Sequence, residues 1–135
     1  LEPELRLLRR KVEAGAHFFM TQNVFDEKVL ERFLEKAARF QRPILIGVLP
    51  LANSRHAEFL HNEVPGMVIP TALRDAFRAA PRNGREVGLR FAEELVAAIR
   101  PRVQGLYLIP SFGRYDRVLH LVQTLRKETP APSDP

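Results

Sequence analysis

The chain has 135 residues, the size of one ordinary domain, with 45% hydrophobic and 27% charged residues, which supports a packed core and excludes wholesale disorder. Lys and Arg number 21 against 16 Asp and Glu, a net charge of +5, and Cys is 0, which excludes disulfides, thiolate metal sites and a cysteine nucleophile. No apolar run approaches the ~18 residues of a membrane-spanning helix, and Leu1-Glu2-Pro3-Glu4 lacks the basic-then-apolar order of a signal peptide, so a cytoplasmic protein with no membrane partner is expected.

In chain order, residues 3 to 14 read as a helix. Pro3 suits its first turn, Leu5, Leu8 and Val12 recur at helical spacing, and Gly15 ends it. The short apolar stretch 16–21 reads as a buried strand. Asp26 then caps a helix that places Val29, Leu30, Phe33, Leu34 and Ala37 on one face, with Phe25 and Leu30 as a hydrophobic staple. The continuous apolar run 43–49 reads as a strand covered on both faces and ended by Pro50. A helix over 54–62, a turn at Pro65-Gly66 and a short helix from near Pro70 follow. A longer helix over about 85–99 has Val87, Phe91, Leu95 and Ile99 spaced by four, and Gly88 and Ala92 form a small-residue strip open to a close neighbour. Residues 105–109 form the third strand, and a last helix covers about 114–127. The Pro-rich polar segment 129–135 is expected to be a disordered tail, leaving 1–128 as one domain.

One helix followed by three strand-then-helix units predicts an α/β fold with a parallel sheet. Three such strands leave both sheet edges open, and a closed (β/α)8 TIM barrel needs about 250 residues. The chain therefore reads as part of such a barrel. Because it starts at Leu1 and not Met, it is expected to be cut from something longer. Alone, its open edges predict aggregation or self-association.

Ligand sites on barrels and open α/β sheets form at the carboxyl ends of the strands. That rule selects Thr21-Gln22-Asn23, then Pro50 to Asn53 running into Arg55 and His56, then Pro110 to Arg114. These segments offer amides, an imidazole, a guanidinium and hydroxyls, and no carboxylate. They suit binding and orientation of a ligand better than acid–base catalysis. The histidines at 17, 56, 61 and 120 show no metal-binding spacing, and no phosphate loop, dinucleotide glycine pattern or GxSxG elbow occurs. Each candidate also has a structural reading. Gln22 can cap strand-end backbone groups, His56 can be a surface helix residue, Arg114 can start a helix in a solvated ion pair, and Arg10 and Lys11 can be a solvated helix face.

Leu8 to Ala16 (LRRKVEAGA), followed by Phe19-Met20-Thr21-Gln22, resembles the "LKRKVDAGA…ITQ" signature of the methylenetetrahydrofolate reductase family. Gly47-Val48-Leu49-Pro50 resembles that family's "GI(L/M)P" strand end. Residues 57–66 and Pro110 to Tyr115 are most similar to a bacterial subgroup in which a homocysteine S-methyltransferase domain precedes the reductase. The resemblance covers nearly the whole chain up to the tail.

The resemblance implies the C-terminal part of a (β/α)8 barrel holding FAD, from the helix after strand five through strand eight. It implies hydride transfer from NAD(P)H to the flavin and on to methylenetetrahydrofolate, giving 5-methyltetrahydrofolate, in a homo-oligomeric enzyme. Gln22 matches a glutamine that hydrogen-bonds folate and meets the nicotinamide. Arg114 matches a substrate-binding arginine, and His56 falls where many members have a substrate-contacting glutamine. Arg10 and Lys11 match FAD contacts, and Glu4 falls at an acidic FAD contact. The family's glutamate proton donor lies near the start of the barrel, so no catalytic residue is expected among these 135, and the fragment alone is expected to be inactive. The alternatives are a flavin-free barrel enzyme binding a pterin or acidic metabolite, and a basic module binding nucleic acid.

Overall fold

The computed structural model describes residues 1–128; the segment read as a tail, 129–135, lies outside the described residues. The elements are α1 (Glu2–Glu13), β1 (Phe19–Asn23), α2 (Glu27–Ala37), β2 (Ile44–Val48), α3 (Ser54–Glu63), α4 (Thr71–Ala79), α5 (Gly84–Ile99), β3 (Gly105–Leu108) and α6 (Tyr115–Glu128). The three strands are parallel and lie in the order β1-β2-β3, the arrangement expected of part of a (β/α)8 barrel. Among the described residues, the outer edges of β1 and β3 carry no further strand. No described helix is long and apolar enough to cross a membrane.

Local signals account for most of the boundaries. Gly15, just past α1, takes φ +94°, a conformation that favours glycine. Asp26 accepts hydrogen bonds from the backbone N–H of Lys28 (2.8 Å) and Val29 (3.1 Å) and so caps α2. Asn53 caps α3 in the same way, accepting from His56 N–H at 2.9 Å.

Three expectations need correction. The first strand covers 19–23 instead of 16–21. Ala16 to Phe18 form the connection into it, and Phe18 is 54% exposed. Its start is fixed by pairing with β2, Phe19 opposite Ile44, and its end runs on into polar residues. Val29 stands outside the apolar face of α2, 53% exposed. Phe25 and Leu30 do not form a staple, because they enter different clusters.

Those two clusters divide the core. Ile44, Ile46 and Val48 point to one face of the sheet, where they meet Leu5 and Leu8 of α1, Leu30 of α2, Leu95 and Ile99 of α5, and Leu121 of α6. A second cluster lies beyond the carboxyl end of β2. It joins Leu49 and Leu51 to Ala57 of α3, Leu73 and Phe77 of α4, and Val87 of α5. The small-residue strip on α5 serves the close approach it predicts. A side chain at Gly88 would put its first carbon 1.8 Å from the Leu51 carbonyl oxygen. This packing seats the start of α5 directly on the strand-end loop that carries the candidate site.

Candidate functional site

The carboxyl ends of the strands are tied together across the sheet. One extra residue in β1 shifts the register between Met20 and Asn23, a bulge of the kind that re-aims side chains. It turns Asn23 toward Gly47 on β2. A methyl group on Gly47 would stand 2.6 Å from the Tyr107 hydroxyl and 3.0 Å from Asn23 Oδ1, so glycine alone leaves room for both. The Tyr107 hydroxyl reaches across from β3 to donate to the Thr21 carbonyl, and Thr21 Oγ1 accepts from Gly47 N–H at 3.2 Å. Burial raises the Tyr107 pKa, which keeps that hydroxyl a donor. Asn23 Oδ1 is buried and has no hydrogen-bond partner among the described residues. A buried acceptor in that state costs about 1–3 kcal/mol.

Gln22, next to this latch, is exposed at the rim. Its Oε1 lies 3.6 Å from the point where a side chain on Gly66 would begin, so the amide leans toward the turn between α3 and α4.

At β2 and β3 the two strand-end loops meet. Ser111, the one buried polar residue among the described residues, donates its hydroxyl to the Pro50 carbonyl. Phe112 sits with φ +50° and ψ 38°, a left-handed backbone unusual for a bulky residue. Its ring lies 4.8 Å from that of His56. His56 Nδ1 accepts from Ala52 N–H at 3.3 Å. That bond requires Nδ1 without a proton, so the neutral ring carries its proton on Nε2 as a donor. Burial, and then the charge of Arg117, hold the His56 pKa below the ordinary histidine range.

This makes His56 a source of pH dependence. The folded protein takes up the imidazole proton less readily than the unfolded chain. Stability is therefore full above the ordinary histidine pKa of about 6.5 and is lost as the pH falls through it toward the lowered folded value. Melting temperatures of the full-length protein between about pH 7.5 and 5.5 should fall more steeply for wild type than for His56→Gln, which cannot titrate. Equal slopes would show that His56 is not held neutral.

Arg114 opens α6, exposed, and both sides of its guanidinium fork face Asp116: Nε to Oδ1 at 3.2 Å and Nη2 to Oδ2 at 3.3 Å. The arginine beside it holds the Asp116 carboxyl below its usual range. Arg117, one turn on, is half-buried, with Nε and Nη1 buried and without a partner among the described residues. Desolvation, then the charges of Arg85 and Arg114, push its pKa down. Gln22, His56 and Arg114 thus all lie at the carboxyl ends of the strands, as the sequence predicts, and His56 and Arg114 share one basic corner.

Glu4, Arg10 and Lys11 lie elsewhere, on α1, and all three are exposed. Glu4 stands in the first turn of α1. Arg10 and Lys11 occupy the last turn of α1, where the Lys11 carbonyl accepts from Ala16 N–H on the approach to the amino end of β1. The structure does not bring them beside Gln22. Asn23 as an inward-facing acceptor, Tyr107, Arg85 and Arg117 are the site residues that sequence reasoning missed. The i,i+3 spacing of Arg114 and Arg117 was a usable signal, since it puts both on one helix face.

A family model described as methylenetetrahydrofolate reductase matches residues 1–125. No curated protein matches the chain.

Proposed function

The chain belongs to the methylenetetrahydrofolate reductase family, and from that premise we propose that it forms the carboxyl-terminal part of a barrel that reduces 5,10-methylenetetrahydrofolate to 5-methyltetrahydrofolate with NAD(P)H through FAD. The family match over residues 1–125 carries this reading. The rim supports it: an exposed amide at Gln22, a neutral imidazole at His56 and a cluster of arginines suit an acidic pterin ligand.

The Gln22 amide donates and accepts at once, which fits the alternating donor and acceptor edge of a pterin. His56, with Nδ1 engaged by the backbone, presents Nε2–H as a donor. It can replace one capability of the glutamine found there in many members. Arg114 offers a fork to a carboxylate, and its exposed pairing with Asp116 is of a kind worth little in water, so a ligand can displace it.

Arg10 and Lys11 are adjacent exposed cations and suit the anionic arm of FAD, with Glu4 suited to a hydroxyl or amine on that arm. Their place near the amino end of β1 does not suit the flavin ring, which would have to face Gln22. When bound, FAD supplies the hydride relay between the two substrates, while this chain binds and orients them. In this reading the remaining strands of the barrel cover the edges of β1 and β3, and a homocysteine S-methyltransferase domain precedes the reductase.

The test uses the full-length protein. It should be yellow as purified or after addition of FAD, bleach with NAD(P)H, and regain its colour with methylenetetrahydrofolate. A folded, colourless protein that takes up no FAD would overturn the proposal and favour the flavin-free barrel.

A further inference from the structure

The turn between α3 and α4 is held in one position from several sides. Val64, Pro65, Gly66 and Met67 form a four-residue turn, closed by the Met67 N–H on the Val64 carbonyl at 3.1 Å. Proline at its second place and glycine at its third, with φ +78° at Gly66, are the type II pattern. Beyond the turn Met67 and Ile69 are buried in the second core cluster, while Val68 between them is 68% exposed. Glu58 of α3 accepts from both sides of the Arg74 fork on α4, at 2.9 and 2.6 Å, and from Arg78 at 2.8 Å, which ties the two helices to each other.

One further bond closes this frame. The N–H of Ile69, a residue 1% exposed, donates to Nδ1 of His61 in the last turn of α3, at 3.1 Å. Without that acceptor a buried donor would be left unpaired. The frame sets the turn against Gln22: a side chain on Gly66 would put its first carbon 3.6 Å from Gln22 Oε1. Pro65 and Gly66 are exposed, and the peptide that joins them, with the Pro65 carbonyl and the Gly66 N–H, bonds to nothing among the described residues. One backbone donor and one backbone acceptor therefore lie open beside the donor and acceptor of the Gln22 amide.

We propose that the Pro65–Gly66 peptide forms a wall of the ligand pocket beside Gln22, and that His61 is the positioning residue that holds it there. The inference rests on the folate reading above. The group this wall accepts is a planar ring with donors and acceptors along its edge, as a pterin has. Glycine at 66 keeps the gap between the turn and the Gln22 amide open to that edge, and a methyl group there would narrow it. His61 touches no ligand in this arrangement and acts through Ile69 and the turn.

The test titrates 5-methyltetrahydrofolate into the flavin-loaded full-length protein. Gly66→Ala should weaken binding about fivefold or more, the scale of a lost hydrogen bond. Gly15→Ala is its control for backbone strain: Gly15 also has a positive φ, but a side chain there meets nothing within 4 Å, and affinity should be unchanged. His61→Ala should weaken binding by a factor similar to that of Gly66→Ala, and His61→Asn, whose amide oxygen can accept where Nδ1 did, should restore most of it. In a Gln22→Ala background His61→Ala should cost little more, because the two residues act on one contact. His61→Gln fills the space but carries its oxygen one carbon too far, and it takes the place of alanine if His61→Ala does not fold. Wild-type affinity in Gly66→Ala, or equal losses in Gly66→Ala and Gly15→Ala, overturns the wall. Equal losses in His61→Ala and His61→Asn, or the same loss with and without Gln22, would show that His61 only stabilises the fold and overturns its positioning role. If wild type binds no 5-methyltetrahydrofolate, the folate reading fails and the inference with it. If wild type binds it and the variants match wild type, only the inference fails.

Discussion

Gly88→Ala should destabilise the protein by about 2 kcal/mol or more, although alanine is the better helix former by about 1 kcal/mol. The sign is decided by space. The added carbon would stand 1.8 Å from the Leu51 carbonyl oxygen and 2.8 Å from the carbonyl carbon, both backbone atoms. No rotamer change relieves such a clash, so α5 must move off the loop. Leu51 is 1% exposed, and Val87, Ala92 and Leu95 on the same helix are buried, so the shift spoils packing on both sides of Gly88. Overpacking of this kind costs about 1–3 kcal/mol and at times more, and a contact this short belongs at the upper end. Urea unfolding of the full-length protein would show a lower midpoint. Stability equal to or above wild type would mean that α5 does not rest on Leu51.

The elements that the sequence made legible are those whose signals are local. The apolar run at 43–49 became β2, the Asp26 cap holds the start of α2, and Gly88 is where α5 meets Leu51. What was not legible depends on partners distant in sequence. Hydrophobicity favours Ala16 to Phe18 as strand, but pairing with β2 begins only at Phe19 and draws polar Gln22 and Asn23 into the sheet. Tyr107 reads as one more apolar strand residue. Its hydroxyl matters because Gly47 opens a path to Thr21 on the far strand. Arg117 is not singled out by the sequence, because the burial of its Nε and Nη1 depends on packing and not on any local signal. The site segments themselves were found from topology, because the carboxyl ends of parallel strands can be located before any side chain is placed.

Gln22→Glu is the substitution expected to affect the proposed chemistry most directly, with little change in size. Gln22 lies at the carboxyl end of β1, exposed at the rim and beside the Thr21–Gly47–Tyr107 latch that fixes the strand end. The glutamate carries no NH2 group, so an acceptor on the pterin that the amide served would be left desolvated and unpaired. That loss costs about 1–3 kcal/mol, or roughly 5- to 150-fold in folate affinity. FAD content should be retained, since the positions matched to FAD contacts, Glu4, Arg10 and Lys11, lie on α1. Arg114→Ala should weaken folate binding too, through loss of a carboxylate partner, while leaving flavin reduction by NAD(P)H nearly intact. Gln22→Glu, at a position expected to meet the nicotinamide as well, should alter both half-reactions. Stopped-flow measurement of flavin reduction by NAD(P)H and of its reoxidation by methylenetetrahydrofolate separates the two variants. Wild-type values for folate affinity and for both half-reactions in Gln22→Glu would make Gln22 a strand-end structural residue and remove the centre of the proposed site.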